Sequence, residues 1–409
     1  MTEARLKHLA EVRISNVDKK SIEGDPLVLL CNYTDAYYND RITGSLDFMS
    51  ATATPDQRAV FALKKGDVVL TKDSETADDI AETALVTEDI ATLVCGYHLA
   101  VIRPRSARAI GSYIRWTLAS MPARQALGAA ATGVTRFGLR SEAIENLLIP
   151  VIPISTQRAI ADYLDRETAR IDGLIDTKRR MVKLEVEHMQ GLRESAFSNA
   201  PAPEVRLGRF VTSIGQGVSP AAEARQVEDY EWGVLKLSAV KRGRFVSSEH
   251  KALPSDFAPD PRMVPRAGDL LVTRANTPDL VGDVCAVTIP RPRLILCDLI
   301  YVLRLRPDLD PEYAAQALLT QNARAQLSSV ARGTSQSMVK LRAEDVKGIV
   351  IRVPDLGTQR SIVETLNQAS VHCDLVVSKL QRSITLLQER RQALITAAVT
   401  GQLNIAEAA

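Results

Sequence analysis

An internal repeat constrains this chain more than any other feature of its sequence. The segment STQRAIADYLDRETARID at 155–172 returns as GTQRSIVETLNQASVHCD at 357–374, an offset of 202 residues. With that offset and no gap, residues 139–198 match 341–400 at 17 of 60 positions. Further upstream, KKGDVVLTK lies over RAGDLLVTR, and Cys95 falls on Cys297. A constant offset over this length predicts a tandem duplication of a unit of about 200 residues.

Each copy is expected to contain a mixed part followed by a long helix. Short apolar runs such as DVVLTK and TLVCGYHLAVI are typical of strands, and ARAIGSYIRWTLASMPARQAL has helical periodicity. Pro153 and Pro354 are expected to end the strand before each long helix. Thr156, or its neighbour Ser155, and Thr358 of the second copy are the expected helix N-caps.

Apolar residues recur every seven residues along the second predicted long helix, with a second apolar series offset from the first. The first predicted helix keeps the same register, interrupted at Lys178 and Glu185. This pattern indicates a coiled-coil seam. At 1.5 Å per residue, about 40 residues form a rod of roughly 60 Å. Equivalent copies related by a pseudo-two-fold axis would place the helices antiparallel. The predicted seam residues are Leu164, Ile171, Ile175, Val182, Met189, Leu366, Cys373, Val377, Leu380, Ile384, Leu387 and Leu394.

The sequence therefore predicts an α+β chain with an internal pseudo-two-fold repeat. Two similar mixed α/β globular domains are joined by two long helices that form an antiparallel coiled coil. The predicted boundaries are 1–153 for the first globular domain, 154–199 for the first helix, 200–355 for the second globular domain, and 356–409 for the second helix and tail.

Motifs for catalysis or metal binding are missing from the sequence. There is no GxxxxGK[ST] phosphate loop, no Gly-rich dinucleotide fingerprint and no GxSxG elbow, so an independent enzyme is not expected. The five cysteines form no CxxC pair and the histidines form no HExxH, which argues against a metal site. Charged residues in MTEARLKHLAEVRISNVDKK are incompatible with a signal peptide, so we expect a cytoplasmic protein.

Two diverged copies of one domain on rigid helices suit a polymeric ligand with two half-sites, and duplex DNA is the obvious candidate. Divergence between the copies predicts an asymmetric target. The net charge of +2 is too small to indicate nucleic acid by itself, so DNA contacts would depend on local loops. An interaction scaffold whose mixed domains bind other proteins is the alternative, and near-neutral charge fits it equally well.

Loops in equivalent places of the two copies are expected to carry the side chains that read or bind DNA. Arg and Lys suit guanine and phosphate, whereas Asn and Gln suit adenine. The loops TGVTRFGLR and RGTSQSMVKLR correspond to one another. So do TKDSET and TRANTPD, which follow the strands predicted in KKGDVVLTK and RAGDLLVTR, called here the Gly-Asp strands because a Gly-Asp pair precedes each. The candidate DNA-binding residues are Lys72, Thr135, Arg136, Arg274, Asn276, Arg332, Gln336 and Lys340.

These residues lead to a family resemblance that covers essentially the full chain. IPVIPISTQRAIADYLDRETARIDGLIDTKRRMVKL resembles the first central repeat of the specificity (S) subunits of type I restriction-modification enzymes. The segment that begins VIRVPDLGTQRSI resembles their C-terminal repeat. In that family a proline-containing strand runs into Glu-Gln-Arg-x-x-Ile and a long helix with Asp-x-Leu-Ile. Thr156 and Thr358 stand here where the family usually has Glu.

The resemblance implies that 1–153 and 200–355 are target recognition domains, each reading one half of a bipartite DNA target. The helices would set the spacer, for which roughly 60 Å gives an upper bound of about 17 base pairs. They would also dock two modification (methyltransferase) subunits, joined in some complexes by two restriction subunits. The resemblance implies no cofactor in this chain, because S-adenosylmethionine, ATP and magnesium would be bound by the partner subunits.

Overall fold

The computed structural model describes residues 2–199, 201–335, 338–403 and 405. The chain forms two compact units. The first unit is Met1–Arg179 with Gln381–Ala409, and the second unit is Arg180–Leu380. Each unit therefore contains one globular part, the start of one long helix and the end of the other. This partition crosses both helices, whereas the predicted domain boundaries follow the order of segments along the chain.

The globular part of the first unit is a mixed α/β fold. Its strands are β1 Thr2–Arg5, β2 Ala10–Ile14, β3 Leu27–Cys31, β4 Arg41–Ile42, β5 Met49–Thr52, β6 Val68–Thr71, β7 Asp73–Ser74, β8 Thr83–Val86, β9 Leu93–Cys95, β10 Leu99–Pro104, β11 Phe137–Gly138 and β12 Leu148–Val151. Its helices are α1 Tyr33–Tyr37, α2 Pro55–Phe61, α3 Gly111–Leu118, α4 Met121–Ala130 and α5 Ser141–Glu145, and the first long helix is α6 Ile154–Asn199.

Two apolar cores hold the first globular part together. The main sheet has the order β2-β10-β6-β8-β4, and a smaller sheet has the order β5-β3-β9. β6 and β10 are almost fully buried because both of their faces are covered. One face packs with Ile114 and Leu118 of α3, and the other packs with Leu30 of β3 and Val94 of β9. These continuous apolar strands match the runs DVVLTK and LAVI in the sequence.

The second unit repeats this plan with local differences. Its strands are β13 Glu204–Arg206, β14 Val211–Gln216, β15 Gly233–Leu235, β16 Val240–Lys241, β17 Arg244–Phe245, β18 His250–Ala252, β19 Leu270–Thr273, β20 Ala275–Asn276, β21 Val284–Ala286, β22 Leu294–Ile295, β23 Ile300–Leu305, β24 Arg332–Ser335, β25 Met338–Lys340 and β26 Val350–Arg352. Its helices are α7 Pro311–Leu318, α8 Gln321–Val330 and α9 Ala343–Gly348, followed by the second long helix α10 Leu356–Val399. The central sheet is β14-β23-β19-β21.

The offset between the two copies is not constant, which corrects the prediction from sequence. It is 202 residues at β6 and β19, at β12 and β26, and at the starts of α6 and α10, but 200 at α3 and α7 and at α4 and α8. The second copy therefore loses two residues before α7 and regains two after α8. The gain falls in the segment that follows the helix, 331–340 against 131–138, so the corresponding loops differ in length.

The starts of the long helices also differ from the prediction. Thr156 and Thr358 lie inside α6 and α10, so neither is an N-cap. In the second copy the cap is Asp355, whose carboxylate accepts hydrogen bonds from the backbone N–H groups of Gly357 and Thr358 at 2.9 and 3.1 Å. A hydrogen bond from the Thr358 hydroxyl, together with these two backbone hydrogen bonds, holds the pKa of Asp355 below its usual value.

The glutamine of each TQR motif is buried, and its side-chain amide hydrogen-bonds to three backbone groups. Gln157 is 1% exposed; its Nε2 donates to the carbonyls of Arg108 and Ile152, both at 2.9 Å, and its Oε1 accepts from Ile110 N–H at 3.1 Å. Gln359 is fully buried and does the same with the carbonyls of Asp308 and Pro354 and with Asp310 N–H. Each amide therefore joins the strand–helix junction to the loop before α3 or α7. Buried backbone groups need such partners.

In the first unit, the start of α6 packs against the end of α10. Leu164 of α6 and Ile395 of α10 are fully buried in one apolar cluster with Trp116 of α3. Further along, Asp172 of α6 pairs with Arg391 of α10 at 3.0 Å. Moving forward along α6 thus means moving backward along α10, so the helices are antiparallel as predicted. Ile395 is buried more deeply than the predicted seam residue Leu394, so the buried face departs from a strict heptad near the end of α10.

Arg391 fixes the end of α10 to the first globular part. Its guanidinium pairs with Asp40 at 3.2 Å as well as with Asp172, and it lies 5.9 Å from the Trp116 ring. Asp40 also pairs with Arg115, whose pKa is lowered because the guanidinium is buried. Trp116 donates from Nε1 to Asp165 at 2.8 Å. A charged network partly withdrawn from water thereby links α3, α6 and α10.

In the second unit, the end of α6 packs against the start of α10. The Cys373 thiol lies 3.9 Å from the Glu185 carbonyl oxygen, and Leu366, Cys373 and Leu380 are buried. The Phe197 ring of α6 packs at a tilt against the Tyr313 ring of α7, with 5.0 Å between ring centroids. The other predicted seam residues are Ile171 and Ile175, which are buried, and Val182, Met189, Val377, Ile384 and Leu387, which are half-buried. Among the residues described, no helix is long and apolar enough to cross a membrane.

Replacing Gln157 with Leu should destabilise the first unit strongly. The change leaves the Ile110 N–H and the Arg108 and Ile152 carbonyls without their partner, and one such buried group costs about 1–3 kcal/mol. We expect Gln157→Leu to lower the free energy of unfolding by about 3 kcal/mol. Trp116 is in the first unit and Trp232 in the second, so urea unfolding followed by fluorescence in a Trp232→Phe background reports on the first unit.

Thr156→Ala is the matched control, because Thr156 is exposed and adjacent to Gln157. It should change the free energy of unfolding by less than about 0.5 kcal/mol. If Thr156→Ala lowered the free energy of unfolding by about 1 kcal/mol and Gln157→Leu did not lower it, the stabilising role of the Gln157 hydrogen bonds would be wrong, and Thr156 would be acting as a helix cap.

Candidate nucleic-acid interface

A small β-ribbon brings the first set of candidate residues together. β7 pairs antiparallel with β11, with Gly138 opposite Asp73 and Phe137 opposite Ser74. Next to this pairing, Leu139 N–H donates to the carbonyl of Lys72 at 2.8 Å. Thr132 pairs with Gly138, so Thr135 and Arg136 occupy the loop that the ribbon closes. Segments more than 60 residues apart in sequence thus meet at one site.

The second unit builds the equivalent ribbon with three strands in the order β20-β25-β24. Ala275 lies opposite Lys340, and Lys340 lies opposite Arg332. Leu341 N–H donates to the carbonyl of Arg274 at 2.8 Å, which repeats the bond between Leu139 and Lys72. Both copies therefore use one construction: the segment after the Gly-Asp strand pairs with the segment before α5 or α9.

Lys72 does not present a free ammonium group. The residue is 9% exposed, and its Nζ lies 2.8 Å from Asp73 and 4.8 Å from the centre of the Tyr97 ring. The same Asp73 carboxylate contacts His98 Nδ1 at 2.8 Å. A phosphate would have to compete with this carboxylate for the ammonium group. The phosphate contact expected of Lys72 stays a prediction, and the side chain exposed at this position is Tyr97, half of whose surface is accessible.

Arg274, the counterpart of Lys72, is half-buried and contacts an aromatic ring as well. Its Nε donates to Tyr301 Oη at 3.0 Å, and the guanidinium lies 5.8 Å from the ring centre. Asn276 follows on β20, where its Oδ1 accepts from Thr277 N–H at 2.9 Å. In both copies, therefore, the cation that follows the Gly-Asp strand is held against a tyrosine beside the ribbon.

The remaining candidates lie on the accessible parts of the ribbons. Thr135 and Arg136 are exposed in the first unit, and Arg332 and Lys340 are exposed in the second. Gln336 lies outside the described residues. The sheet pairing thus gathers the described candidates into one place per unit, and their contacts with DNA stay predictions.

A group of tyrosines beside the first ribbon was missed by sequence reasoning. Tyr33 and Tyr37 of α1 stack with 5.2 Å between ring centroids, and Tyr37 meets Tyr38 edge to face at 4.9 Å. Tyr37 Oη donates to Asp79 at 2.8 Å, and this bond raises the pKa of Tyr37 to about 12. Tyr38 is 75% exposed. The run DAYYND was the available signal, since exposed tyrosines are common in binding surfaces.

The long helices carry a second feature that sequence reasoning missed. Leu184 on α6 is 62% exposed, and Leu386 on α10, at an offset of 202, is 56% exposed. Met181 and Leu375 add exposed apolar surface to the helix segments of the second unit. Leucines exposed at equivalent positions of two copies are not needed for the seam. Such positions suit contacts with a protein partner.

Comparison with known proteins identifies sequence relatives, although no family model matches the chain. The chain is 29% identical over 197 residues to the type I restriction enzyme EcoEI specificity subunit of Escherichia coli, a match that covers 47% of this chain and 33% of that subunit. It is 22% identical over 329 residues to the EcoKI specificity subunit of Escherichia coli K12, which covers 76% of this chain and 69% of that one. The matches to EcoEI thus span about a third of that relative's length.

Solved structures agree on the fold. A chain from a study of complex assembly and conformational transition of the type I R-M system superposes with a TM-score of 0.74 at 19% identity, over 98% of both chains. The HsdS subunit from Thermoanaerobacter tengcongensis superposes with a TM-score of 0.50, also at 19% identity, over 98% of this chain and 97% of that subunit. The chain is therefore related in sequence to the specificity subunits of type I restriction enzymes and has their fold of two mixed α/β domains with two long helices.

Proposed function

We propose that this chain is the DNA-recognition subunit of a type I restriction-modification complex. Each globular domain reads one half of an asymmetric bipartite target, and the long helices set the spacer between the halves. The relationship to specificity subunits supports this function. The compared relatives give no support to the alternative of an interaction scaffold that does not bind DNA.

The observation that carries the proposal is the ribbon built in the same way in both units. Each ribbon joins two segments distant in sequence and exposes cations, Arg136 in the first unit and Arg332 with Lys340 in the second. Between the copies the loop differs in length and in its side chains, whereas the supporting bonds at Lys72 and Arg274 are the same. Two domains that recognise different DNA sequences need the same supporting strands but different loop side chains, and the two ribbons have this combination.

The partners follow from the same proposal. Two modification subunits dock on the helices and methylate the target after flipping a base. They bind S-adenosylmethionine, and two restriction subunits, where present, bind ATP and magnesium. The chain itself acts by binding and positioning, without a catalytic site or cofactor of its own.

Arg136→Ala and Arg332→Ala should each weaken DNA binding by the complex assembled with its methyltransferase subunits. Removing one phosphate contact lowers the magnitude of the slope of log K against log salt by about 1. Titration of labelled target DNA at several salt concentrations measures both the affinity and the slope. Arg209→Ala is the control, because Arg209 is exposed but is in neither ribbon. Unchanged affinity and slope for both variants would rule out these assignments.

Deleting one heptad from both helices, residues 176–182 and 378–384, should shorten the accepted spacer. Seven residues of helix are about 10 Å long, which corresponds to about three base pairs. Inserting seven residues at the same places should lengthen the spacer equally, and this variant is the matched control. Sequencing the DNA that each complex methylates gives the spacer directly. Variants that methylate with the original spacer would disprove the helices' role as a ruler.

Leu184→Glu and Leu386→Glu should each remove one methyltransferase subunit from the complex. A buried carboxylate at the centre of an apolar contact is strongly unfavourable. Native mass spectrometry should show complexes with one methyltransferase copy for each single variant and none for the double variant. Lys183→Glu, one residue from Leu184, controls for the added charge. Full occupancy in the double variant would place docking elsewhere.

A further inference from the structure

The two units contain equivalent grooves that differ in one decisive residue. The groove of the first unit has a volume of about 470 Å³ and lies between α4, β12 and the last residues of α10. The groove of the second unit has about 350 Å³ and lies between α8, β26 and the last residues of α6. Their linings correspond in position: Ser120 matches Thr320, and Val399 matches Phe197.

In the second unit a glutamine covers the edge of the strand beside the groove. Gln326 of α8 accepts from Val350 N–H at 2.8 Å and donates to the Val350 carbonyl at 3.0 Å. Val350 lies opposite Arg206 in the β13–β26 pair, next to the bond from Leu207 N–H to the Ile349 carbonyl. Hydrogen-bonded and non-bonded pairs alternate in an antiparallel ladder, so both backbone groups of Val350 point away from β13. Gln326 thus occupies the place that a neighbouring strand would take.

In the first unit the same strand edge is open. The position of Gln326, the sixth residue of a ten-residue helix, is taken in α4 by Ala126. Leu148, the first residue of β12, lies opposite Arg5 and next to the bond from Leu6 N–H to the Leu147 carbonyl, so it has the geometry of Val350. Within the part of the chain that the structure describes, no side chain hydrogen-bonds to the backbone of Leu148. Its side chain is 56% exposed.

The groove beside this edge suits an apolar polypeptide. Its lining includes Ala123, Ala126, Ala143, Leu147 and Pro150, and Glu3 is the charged residue among the lining positions. Among the lining residues that the structure describes there is no lysine or arginine to bind a nucleic acid phosphate. An extended peptide, by contrast, supplies a carbonyl and an N–H for Leu148 and apolar side chains for the groove, as in recognition by strand addition.

We propose that β12 of the first unit accepts an extended, apolar segment of one methyltransferase subunit as an added strand. This inference rests on the proposed function, which supplies that partner. Gln326 closes the corresponding edge in the second unit, so only one of the two methyltransferase copies gains this contact. The two copies are therefore held unequally, although the chain that holds them is built as a repeat.

Ala126→Gln tests the proposal by installing in the first unit the glutamine that closes the second. Ala126 is exposed on its helix, so the longer side chain can be accommodated. In the chain without partners, exchange of the Leu148 amide with deuterium should be fast in the wild type and slowed by the substitution. Ala129→Gln adds the same side chain to an exposed position of the same helix outside the groove and should leave exchange unchanged.

Binding of the co-expressed methyltransferase subunit gives the second readout. In the wild type the Leu148 amide should become protected when both copies are bound. Ala126→Gln should weaken one of the two copies by about tenfold, because two backbone hydrogen bonds are lost to the partner. Leu148→Pro, which removes the N–H by another route, should weaken the same copy, whereas Ala129→Gln should bind both copies as the wild type does.

The outcomes separate the inference from the proposed function. A wild-type chain that does not bind the methyltransferase subunit at all would refute the proposed function. If the wild type binds two copies while both Ala126→Gln and Leu148→Pro bind them with unchanged affinity, the proposed function stands and strand addition is wrong. Self-association of the wild-type chain that Ala126→Gln abolishes would also overturn the proposal, since a second copy of this chain would then be the occupant.

Discussion

The buried amides of Gln157 and Gln359 hold each globular part to its long helix. Each makes three hydrogen bonds to backbone groups, one at the strand–helix junction and two in the loop before α3 or α7. An amide suits this place because it donates and accepts at once, which a carboxylate or a hydroxyl does less completely. The direction in which a helix leaves its globular part is fixed there. Any function that depends on the placement of the ribbons depends first on these two side chains.

Each compact unit is built from residues of both sequence copies. In the first unit, Leu164 of the first copy is buried with Ile395 of the second, and in the second unit Leu366 of the second copy is buried with Phe197 of the first. Each unit's core is therefore completed by a helix end from the other copy. Arg391 adds a charged counterpart to this packing through Asp40 and Asp172. The first copy has Met189 at the position equivalent to Arg391, so no matching ion pair can form at the other junction.

Much of the fold was predictable because the repeat and the apolar periodicity are properties of the sequence itself. The helices α6 and α10, their antiparallel pairing and the mixed globular parts follow from those patterns. The constant offset was wrong, because compensating gains and losses of two residues leave the flanking motifs in register. Thr156 and Thr358 have the residue type of a cap, but each lies two residues inside its helix, and Asp355 is the cap of α10.

The sequence predicted where the candidate DNA-binding loops lie, but not which of their side chains are buried or paired. Pairing of β7 with β11 and of β20 with β25 brings the chosen loops together, which their equivalent positions in the two copies suggested. The burial of Lys72 under Tyr97 could not be read from the sequence, because Tyr97 and His98 become neighbours of Lys72 and Asp73 only through the sheet. The same applies to the open edge at Leu148, which depends on Ala126 lying where the other copy has glutamine.

Methylation mapping of genomic DNA from cells with and without this chain tests the central claim most directly. Removing the chain while its methyltransferase subunit is retained should abolish methylation at one motif composed of two different half-sites with a fixed nonspecific spacer. Methylation that persists at every motif, or a lost motif that is a single continuous site, would contradict the account of two readers held apart by the helices.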